Sequence, residues 1–238
     1  MVKAGISGIC GRMGRRILNL CRKDENVEVV LGLEYKGHPS EGEDIEGVKV
    51  VSDLNRVNFC DCLIEFTSPK AVIEHLPYLV KFKKPAVIGT TGLNQDEQDK
   101  IKEVSRIIPI VLSPNMSIGV NLLFDLVRTS ANLLKGYRVF IEESHHVHKK
   151  DAPSGTAKQI AKIINSQGEY DIRNEDIKSV REDEITGDHR VVFESGVDKI
   201  ELFHSAKNRD IFAQGAVLAA KWVLGKEPGL YSMEDVLK

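Results

Sequence analysis

The amino-terminal segment 3–17 reads KAGISGICGRMGRRI and predicts a buried strand, a glycine turn and a helix in direct succession. The short apolar run KAGIS suits a strand that is covered on both faces. Residues 12–22 then repeat apolar side chains at helical spacing, with Met13, Ile17 and Leu20 on one side. A strand joined to a helix by a tight turn begins the βαβ unit of parallel-sheet proteins.

Gly8, Gly11 and Gly14 give the turn a G-x-x-G-x-x-G spacing, one residue longer at its first interval than the usual dinucleotide fingerprint. Glycine lets backbone amides approach a pyrophosphate, and the helix start adds positive potential. Glu34 ends a second strand-like run and could accept both ribose hydroxyls of an adenosine. This context favours dinucleotide binding over a purely structural turn. Lys36 could meet a 2′-phosphate that Glu34 would repel, so NADH and NADPH both stay open.

Strand-like and helix-like segments alternate up to residue 115, which predicts a parallel sheet covered by helices. Asn94 and Glu97 stand three apart, as in a capping box that begins a helix. Beyond an amphipathic helix at 119–134, later strand-like runs follow one another without helices, which is typical of a mixed sheet. The polar segment 35–47 is expected to be a loop. The pattern indicates a nucleotide-type domain followed by a smaller α+β domain.

Composition narrows the class of protein. The 33 Lys and Arg nearly balance the 35 Asp and Glu, and a net charge of −2 provides no field suited to nucleic acid or an anionic membrane. No apolar run approaches the roughly 20 residues of a membrane span, and the amino terminus does not resemble a signal peptide. The four cysteines form no CxxC pair and are expected to be reduced. A cytoplasmic protein is the expectation.

Two short loops, EFTSP at 65–69 and GTTG at 89–92, follow predicted parallel strands. Ligands of open α/β sheets bind at the carboxyl ends of such strands, so these loops suit contacts to ribose and nicotinamide. Ordinary turn chemistry explains each loop taken alone. Together with the glycine turn, they favour the cofactor.

Residues 142–157 read EESHHVHKKDAPSGTA and crowd histidines and lysines beside a helix start. Ser154 is a good helix cap, and the amides of Gly155 and Thr156 could hold a carboxylate or phosphate. A capped helix without a ligand is the alternative.

His145, His146 and His148 could be surface residues, metal ligands or a proton donor beside cations. No cysteine or carboxylate pattern completes a recognisable ligand set, so no metal is expected. The density of the cluster favours a proton donor, with Lys149 or Lys150 stabilising developing negative charge. A bound dinucleotide would deliver hydride to an anionic imine or enamine substrate held there.

Seven segments together resemble the dihydrodipicolinate reductase family, also called 4-hydroxy-tetrahydrodipicolinate reductase, in order and over essentially the whole chain. They are GISGICGRMGRRI, FTSP, GTTG, SPNMSIGVN, ESHHVHKKDAPSGTA, TGDHRVVF and FAQGAVLAAKWVLGKEPGLYSMEDVL. The resemblance implies an α/β protein with a Rossmann-like parallel-sheet domain, residues 1–116 and 217–238. It implies an α+β domain at 117–216 that binds substrate and forms homotetramers through an open mixed sheet.

The implied reaction is the NAD(P)H-dependent reduction of 4-hydroxy-tetrahydrodipicolinate to tetrahydrodipicolinate, with loss of water, in diaminopimelate and lysine synthesis. The resemblance makes His145 and Lys149 the catalytic residues. The residues expected to bind the substrate are His146, Ser154, Gly155 and Thr156. Those expected to bind the dinucleotide are Gly8, Ile9, Cys10, Gly11, Arg12, Met13, Glu34, Phe66, Thr67, Gly89, Thr90, Thr91, Ser113, Pro114, Asn115 and Met116.

Two positions depart from the family pattern. Some members carry an arginine directly after the acidic residue, where this chain has Tyr35, and Glu182 and Asp183 stand where members often have glycines. Two other functions stay open: another two-domain NAD(P)-dependent reductase of a carboxylated imine, and a non-catalytic dinucleotide sensor. A sensor could dispense with His145 and Lys149, whereas a reductase could not.

Overall fold

A computed structural model describes all 238 residues of the chain. The chain divides into two compact units, one formed by Met1–Ile118 with Phe212–Lys238 and the other by Gly119–Ile211. The first unit is therefore built from both ends of the chain. No helix combines the length and apolar character that crossing a membrane requires.

The secondary structure comprises twelve strands and seven α-helices. The strands are β1 (Val2–Ser7), β2 (Val27–Leu33), β3 (Asp44–Ile45), β4 (Val48–Val51), β5 (Cys62–Glu65), β6 (Ala86–Ile88), β7 (Pro109–Leu112), β8 (Arg138–His145), β9 (Ile177–Arg181), β10 (Asp188–Glu194), β11 (Lys199–Ser205) and β12 (Gly229–Tyr231). The helices are α1 (Arg12–Cys21), α2 (Pro69–Phe82), α3 (Gln95–Val104), α4 (Ile118–Leu133), α5 (Gly155–Asn165), α6 (Asp210–Trp222) and α7 (Met233–Leu237).

The first unit contains an eight-stranded sheet in the order β12-β7-β6-β5-β1-β2-β4-β3. Its strand pairs are parallel except for β3 with β4. Because β1 lies between β2 and β5, the chain leaves β1 toward one side of the sheet and later returns to the other side. Ligands of such sheets bind at the carboxyl end of the strand where the order reverses.

Apolar side chains cover both faces of this sheet. Ile17 and Leu18 of α1 share one core with Ala216, Ala220 of α6 and Val236 of α7. The opposite core is built largely by α2 and α3 against β5, β6 and β7. Burying each large aliphatic side chain contributes about 1.5–3 kcal/mol before chain entropy is counted. The two cores hold the carboxyl edge of the sheet in place.

The starts of two helices follow from local hydrogen bonds. Asn94 and Glu97 form the predicted capping box at the start of α3. The Ser68 hydroxyl accepts the amide of Ala71 and caps α2, whose first residue is Pro69. These caps satisfy amides that a helix start leaves without partners. They also fix the loops that precede each helix.

The second unit contains a four-stranded mixed sheet in the order β11-β10-β8-β9. β8 is antiparallel to β10 and parallel to β9. Helices α4 and α5 share a core with one face of this sheet. Strand alternation turns Ile141, Glu143 and His145 toward that buried face.

The predicted fold class is confirmed, and four short elements were missed. The polar segment expected to be a loop contains β3, β4 follows directly after it, and the tail of the chain contains β12 and α7. Strands of two to four residues are too short to show a clear alternating pattern, so sequence periodicity does not find them. β12 exists because Leu230 pairs with Ile110 at the edge of the sheet.

Gly14 lies where the glycine turn packs closely against α1. A Cβ at this position would lie 2.1 Å from the carbonyl oxygen of Gly8 and 2.6 Å from the Cα of Ile9. Both are backbone atoms, so we expect Gly14→Ala to lower the free energy of unfolding by about 1–3 kcal/mol, measured by urea denaturation. A matched Gly196→Ala, whose Cβ would meet nothing within 4 Å, should change it by less than about 0.5 kcal/mol. An unaltered Gly14→Ala protein would contradict this account of the turn.

Candidate active site

The turn after β1 is shaped by its glycines. Gly8 has a φ of +79°, and a Cβ there would lie 2.6 Å from the carbonyl oxygen of Phe66. Gly11 is the N-cap residue of α1 and makes no side-chain cap hydrogen bond. The backbone amides at the start of α1 therefore have no side-chain cap, and together with the helix dipole they suit an anion.

Glu34 joins this turn to the end of β2. Its carboxylate accepts the backbone N–H of Cys10 at 2.8 Å. A cavity of about 540 Å³ opens beside it. The sequence-predicted residues that line the cavity are Gly8, Cys10, Gly11, Glu34, Phe66 and Thr67. Tyr35 and Lys36 also line it.

The remaining predicted cofactor residues lie outside the lining of this cavity. Arg12 and Met13 form the first turn of α1, while the Ile9 side chain is fully buried in the core. Gly89, Thr90 and Thr91 follow β6, and Ser113, Pro114, Asn115 and Met116 follow β7, along the same edge of the sheet. The Met116 side chain is buried in the apolar core, so only its backbone could face a ligand.

Contacts between neighbouring loops fix this edge. The N–H of Thr67 donates to Thr90 Oγ1 at 3.0 Å. A Cβ at Gly89 would lie 2.2 Å from the ring of Phe66, so glycine is required for the two loops to approach. The loops predicted from their hydroxyl and glycine content are therefore in contact with one another.

A buried pair beneath the cavity was missed by the sequence reading. Glu65 is fully buried, and its carboxylate contacts His75 Nδ1 at 2.5 Å and accepts from Thr67 Oγ1 at 3.3 Å. Burial lowers the pKa of His75, but the Glu65 carboxylate outweighs burial and raises it above its ordinary value. The pair anchors Thr67 from below. The sequence signal that could have predicted this pair is Glu65 itself, an acidic residue at the end of the apolar strand β5.

Cys10, Glu34 and His38 bring possible metal-ligand atoms within 4.8 Å of one another. However, His38 Nδ1 accepts the N–H of Ser40 at 3.0 Å, so the neutral ring carries its proton on Nε2. Burial, followed by the Glu34 carboxylate, raises the pKa of the Cys10 thiol. The Cys10 thiol and the Nε2 atom of His38 thus carry protons, whereas a metal needs a lone pair from each ligand. It forms a hydrogen-bonded corner of the cavity.

In the second unit, His145 ends β8 and is held by the carboxylate two residues before it. Glu143 is fully buried, and its Oε2 accepts a hydrogen bond from His145 Nδ1. The Nε2 atom is therefore the ring nitrogen that is not engaged by Glu143. A Cβ at Gly187 would lie 2.9 Å from Nε2, so glycine keeps that side of the ring clear. Burial lowers the pKa of His145 more than Glu143 raises it.

Lys149 lies in the loop after β8. Its ammonium group donates to Asp151 Oδ1 at 2.7 Å and lowers the pKa of that carboxyl. The Lys149 side chain is only 22% exposed. The Nδ1 atom of His146 is buried with no hydrogen-bond partner.

The start of α5 lies against the same group of side chains. The Ser154 hydroxyl accepts the amide of Ala157 at 3.2 Å and contacts His189 Nε2 at 3.1 Å, so it is already engaged as a cap. The next residue, Gly155, begins the helix, and a Cβ there would meet nothing within 4 Å. The space beside Gly155 and Thr156 at the start of the helix is therefore wide enough to admit a ligand.

Three further side chains complete this site and were not predicted from the sequence. They are Glu143, Arg181 and His189. His189 lies opposite Glu143 in the β8–β10 pair, and its ring is 5.3 Å from that of His145. Arg181 lies opposite His145 in the β8–β9 pair. The alternation of Glu143 with His145 along one strand was a readable signal, whereas the other two depend on strand pairing.

Comparisons with known proteins match both halves of the chain. Residues 2–116 match the family model "Dihydrodipicolinate reductase, N-terminus", and residues 119–237 match "Dihydrodipicolinate reductase, C-terminus". A 4-hydroxy-tetrahydrodipicolinate reductase of Syntrophus aciditrophicus (strain SB) is 39% identical over 267 residues, covering 100% of this chain and 98% of the relative. One from Aquifex aeolicus (strain VF5) is 42% identical over 261 residues, covering 99% and 98%.

The fold has a counterpart among solved structures. The dipicolinate-bound dihydrodipicolinate reductase from Paenisporosarcina sp. TG-14 superposes with a TM-score of 0.86 at 24% identity, covering 100% of both chains. Fold, site and relatives define an NAD(P)H-dependent oxidoreductase. More specifically, the chain belongs to the dihydrodipicolinate reductase family, as the sequence resemblance predicted.

His189 makes the folded protein sensitive to acid. Burial, followed by the neighbouring His145 ring, lowers the pKa of His189 to about 3 from 6.5. Between these values the unfolded chain binds a proton that the folded chain excludes, so stability falls as the pH drops below 6.5. The loss at pH 5 is roughly 2 kcal/mol.

We therefore expect His189→Gln to reduce, by roughly that amount, the fall in unfolding free energy between pH 7.5 and pH 5. Urea denaturation at both values measures it. His148→Gln, at a side chain 76% exposed, is the control and should leave the difference unchanged. Equal pH sensitivity in His189→Gln and wild type would refute a buried neutral His189.

Proposed function

We propose that this protein catalyses the NAD(P)H-dependent reduction of 4-hydroxy-tetrahydrodipicolinate to tetrahydrodipicolinate in diaminopimelate and lysine synthesis. A hydride replaces the hydroxyl group, which leaves as water after taking up a proton, so one hydride and one proton are consumed. The observation that carries the proposal is the His145 imidazole, fixed at Nδ1 by buried Glu143, beside Lys149 and the start of α5. We also propose that the enzyme acts in the cytoplasm.

The first unit fits the dinucleotide. The amides at the start of α1 would hold the pyrophosphate, and Glu34 would accept ribose hydroxyls. When bound, the dinucleotide supplies the hydride. Glu34 disfavours a 2′-phosphate and Lys36 favours one, and both line the same cavity. We therefore propose that NADH and NADPH are both used.

The second unit fits a dicarboxylate. The start of α5 at Gly155 and Thr156 would take one carboxylate, since helix amino termini bind anions. The orphaned Nδ1 atom of His146 would donate to a carboxylate oxygen once the ring carries a proton there. Ser154 would contribute indirectly, because its hydroxyl holds the first turn of the helix.

His145 and Lys149 would handle the proton. The Nε2 atom of His145 is the transfer atom, because Nδ1 is committed to Glu143. The Lys149 ammonium would stabilise negative charge as it develops on the substrate, after exchanging Asp151 for the substrate. The lowered pKa of His145 makes its protonated form a stronger acid.

The first test is oxidation of NADH, and separately of NADPH, by the purified protein with freshly generated 4-hydroxy-tetrahydrodipicolinate. We expect turnover with wild type and a loss of about 10²-fold or more in kcat with Lys149→Ala and with His145→Gln. Lys135→Ala, whose partner is Glu169 on the surface, is the matched control. Tight dinucleotide binding without turnover would instead assign a sensor.

We further propose that the protein is a homotetramer assembled through the open face of the second sheet. Phe140 and Phe203 are 51% and 60% exposed there, and Val192 lies between their strands. Cross-strand ion pairs, Lys178–Glu142 and Arg190–Glu201, alternate with these apolar side chains on the same face. Aromatic side chains and arginine are enriched at protein interfaces.

The double variant Phe140→Asp, Phe203→Asp is expected to dissociate the assembly, because it places unpaired charges in the interface. Sedimentation velocity measures the mass. Phe59→Asp, at a 60% exposed residue of the first unit, adds the same kind of charge elsewhere and should leave the mass unchanged. A wild-type protein that sediments as a monomer would reject the tetramer.

A further inference from the structure

Arg181 is the last residue of β9, and its guanidinium contacts several groups of the second unit at once. It donates to Glu143 Oε1 at 2.8 Å and to the carbonyl oxygen of Asp151 at 2.6 Å. It also donates to the carbonyl oxygens of Lys149 at 3.3 Å and of Val180 at 2.6 Å. Its side chain is 20% exposed. One side chain therefore connects a buried carboxylate with the backbone of a loop.

These contacts link the two residues assigned to proton handling. Glu143 holds His145 through Nδ1, and Arg181 holds Glu143. Arg181 also fixes the backbone of Lys149 itself and that of Asp151, the partner of the Lys149 ammonium. The positions of His145 and Lys149 thus depend on the same guanidinium.

The chemistry of arginine suits this task. A guanidinium is planar and presents five N–H donors in fixed directions, whereas an ammonium is a point charge on a flexible stem. Glu143 is fully buried, so its charge must be paired to remain ionised. Burial raises the pKa of Glu143, but the Arg181 hydrogen bond leads the contacts that lower it below its ordinary value.

We propose that Arg181 is a positioning residue of the reaction: it fixes His145 through Glu143, and Lys149 through the loop carbonyls, in one arrangement. This inference deepens the proposed reductase function. Arg181 does not contact the reacting atoms in this account. Its loss would let the two proton-handling groups move independently.

The titration of His145 distinguishes positioning from a merely structural role. The charged and titratable groups that face His145 are Glu143 from β8, Arg181 from β9, His189 from β10 and Lys149 from the following loop. The Arg181 charge lowers the pKa of His145 and the Glu143 charge raises it. Removing one or the other should therefore shift it in opposite directions.

The experiment compares full-length wild type with Arg181→Ala, Arg181→Lys and Glu143→Gln. Steady-state kinetics give kcat and KM, and nuclear magnetic resonance follows the titration of His145, assigned with His145→Gln. We expect kcat to fall about 10²-fold in Arg181→Ala, because small misplacements of catalytic groups cost that much. Arg181→Lys should stay at least about tenfold low, because it keeps the charge but loses the planar fork.

Added guanidinium ion provides a rescue arm. Guanidinium ion should restore part of the lost kcat in Arg181→Ala, because it can occupy the space that the arginine side chain leaves. It should leave the kcat of Arg181→Lys unchanged, because the lysine side chain fills that space. Arg173→Ala, at an arginine paired with Glu175 and Asp176 on the surface, is the control and should match wild type. Thermal unfolding of each variant identifies any that fail to fold. If Arg181→Ala does not fold, the comparison of Arg181→Lys with wild type replaces it.

A folded Arg181→Ala with wild-type kcat, or with an unshifted His145 titration, would overturn the proposal. The expected titration is a higher pKa of His145 in Arg181→Ala and a lower one in Glu143→Gln. This arm needs no substrate. If wild type shows no reductase turnover but the opposite shifts appear, the proposed reaction fails while the coupling of Arg181 to His145 stands.

Discussion

A fully buried carboxylate has to be paired, and the site of the second unit is organised around meeting that requirement for Glu143. The carboxylate is approached by Arg181 from β9, by His145 on its own strand and by the amide of Ser154 at the start of α5. Each partner belongs to a different structural element. Desolvating a charge costs several kcal/mol, so the fold tolerates Glu143 only while these partners are in place. The same condition fixes the tautomer of the imidazole.

The first unit also contains a buried carboxylate that is paired with a histidine. Glu65 is buried at the end of β5 and is held by His75, and it supports Thr67 beneath the cavity. In both units an acidic residue near the carboxyl end of a strand anchors the loop that would meet a ligand. A buried ion pair of this kind contributes little net stability, but its geometry is strict. It suits a site that must be held in one arrangement.

Local chemistry explains what could be predicted from the sequence. The glycine turn, the Asn94 capping box and the start of α5 each depend on residues within a few positions of one another. Cavity residues such as Glu34 were predictable because the end of a parallel strand has a known place in the fold. Arg181 was missed because Asp151, Lys149 and Glu143 lie 30, 32 and 38 positions earlier, and only the register of β9 against β8 brings them together. The predicted capping role of Ser154 is confirmed, and its hydroxyl also contacts His189, which only strand pairing brings near.

The contribution of the carboxyl-terminal residues to the first sheet has a consequence for biosynthesis. Phe212–Lys238, which contains most of α6 together with β12 and α7, completes a unit that begins at Met1, and every residue of the second unit is translated before this segment. On a ribosome, the nascent first unit waits with an unpaired β7 edge and an uncovered apolar face while about ninety further residues are added. The second unit, continuous in sequence, can reach its native contacts earlier. Vectorial synthesis therefore makes the first half of the chain the part that most needs chaperone protection.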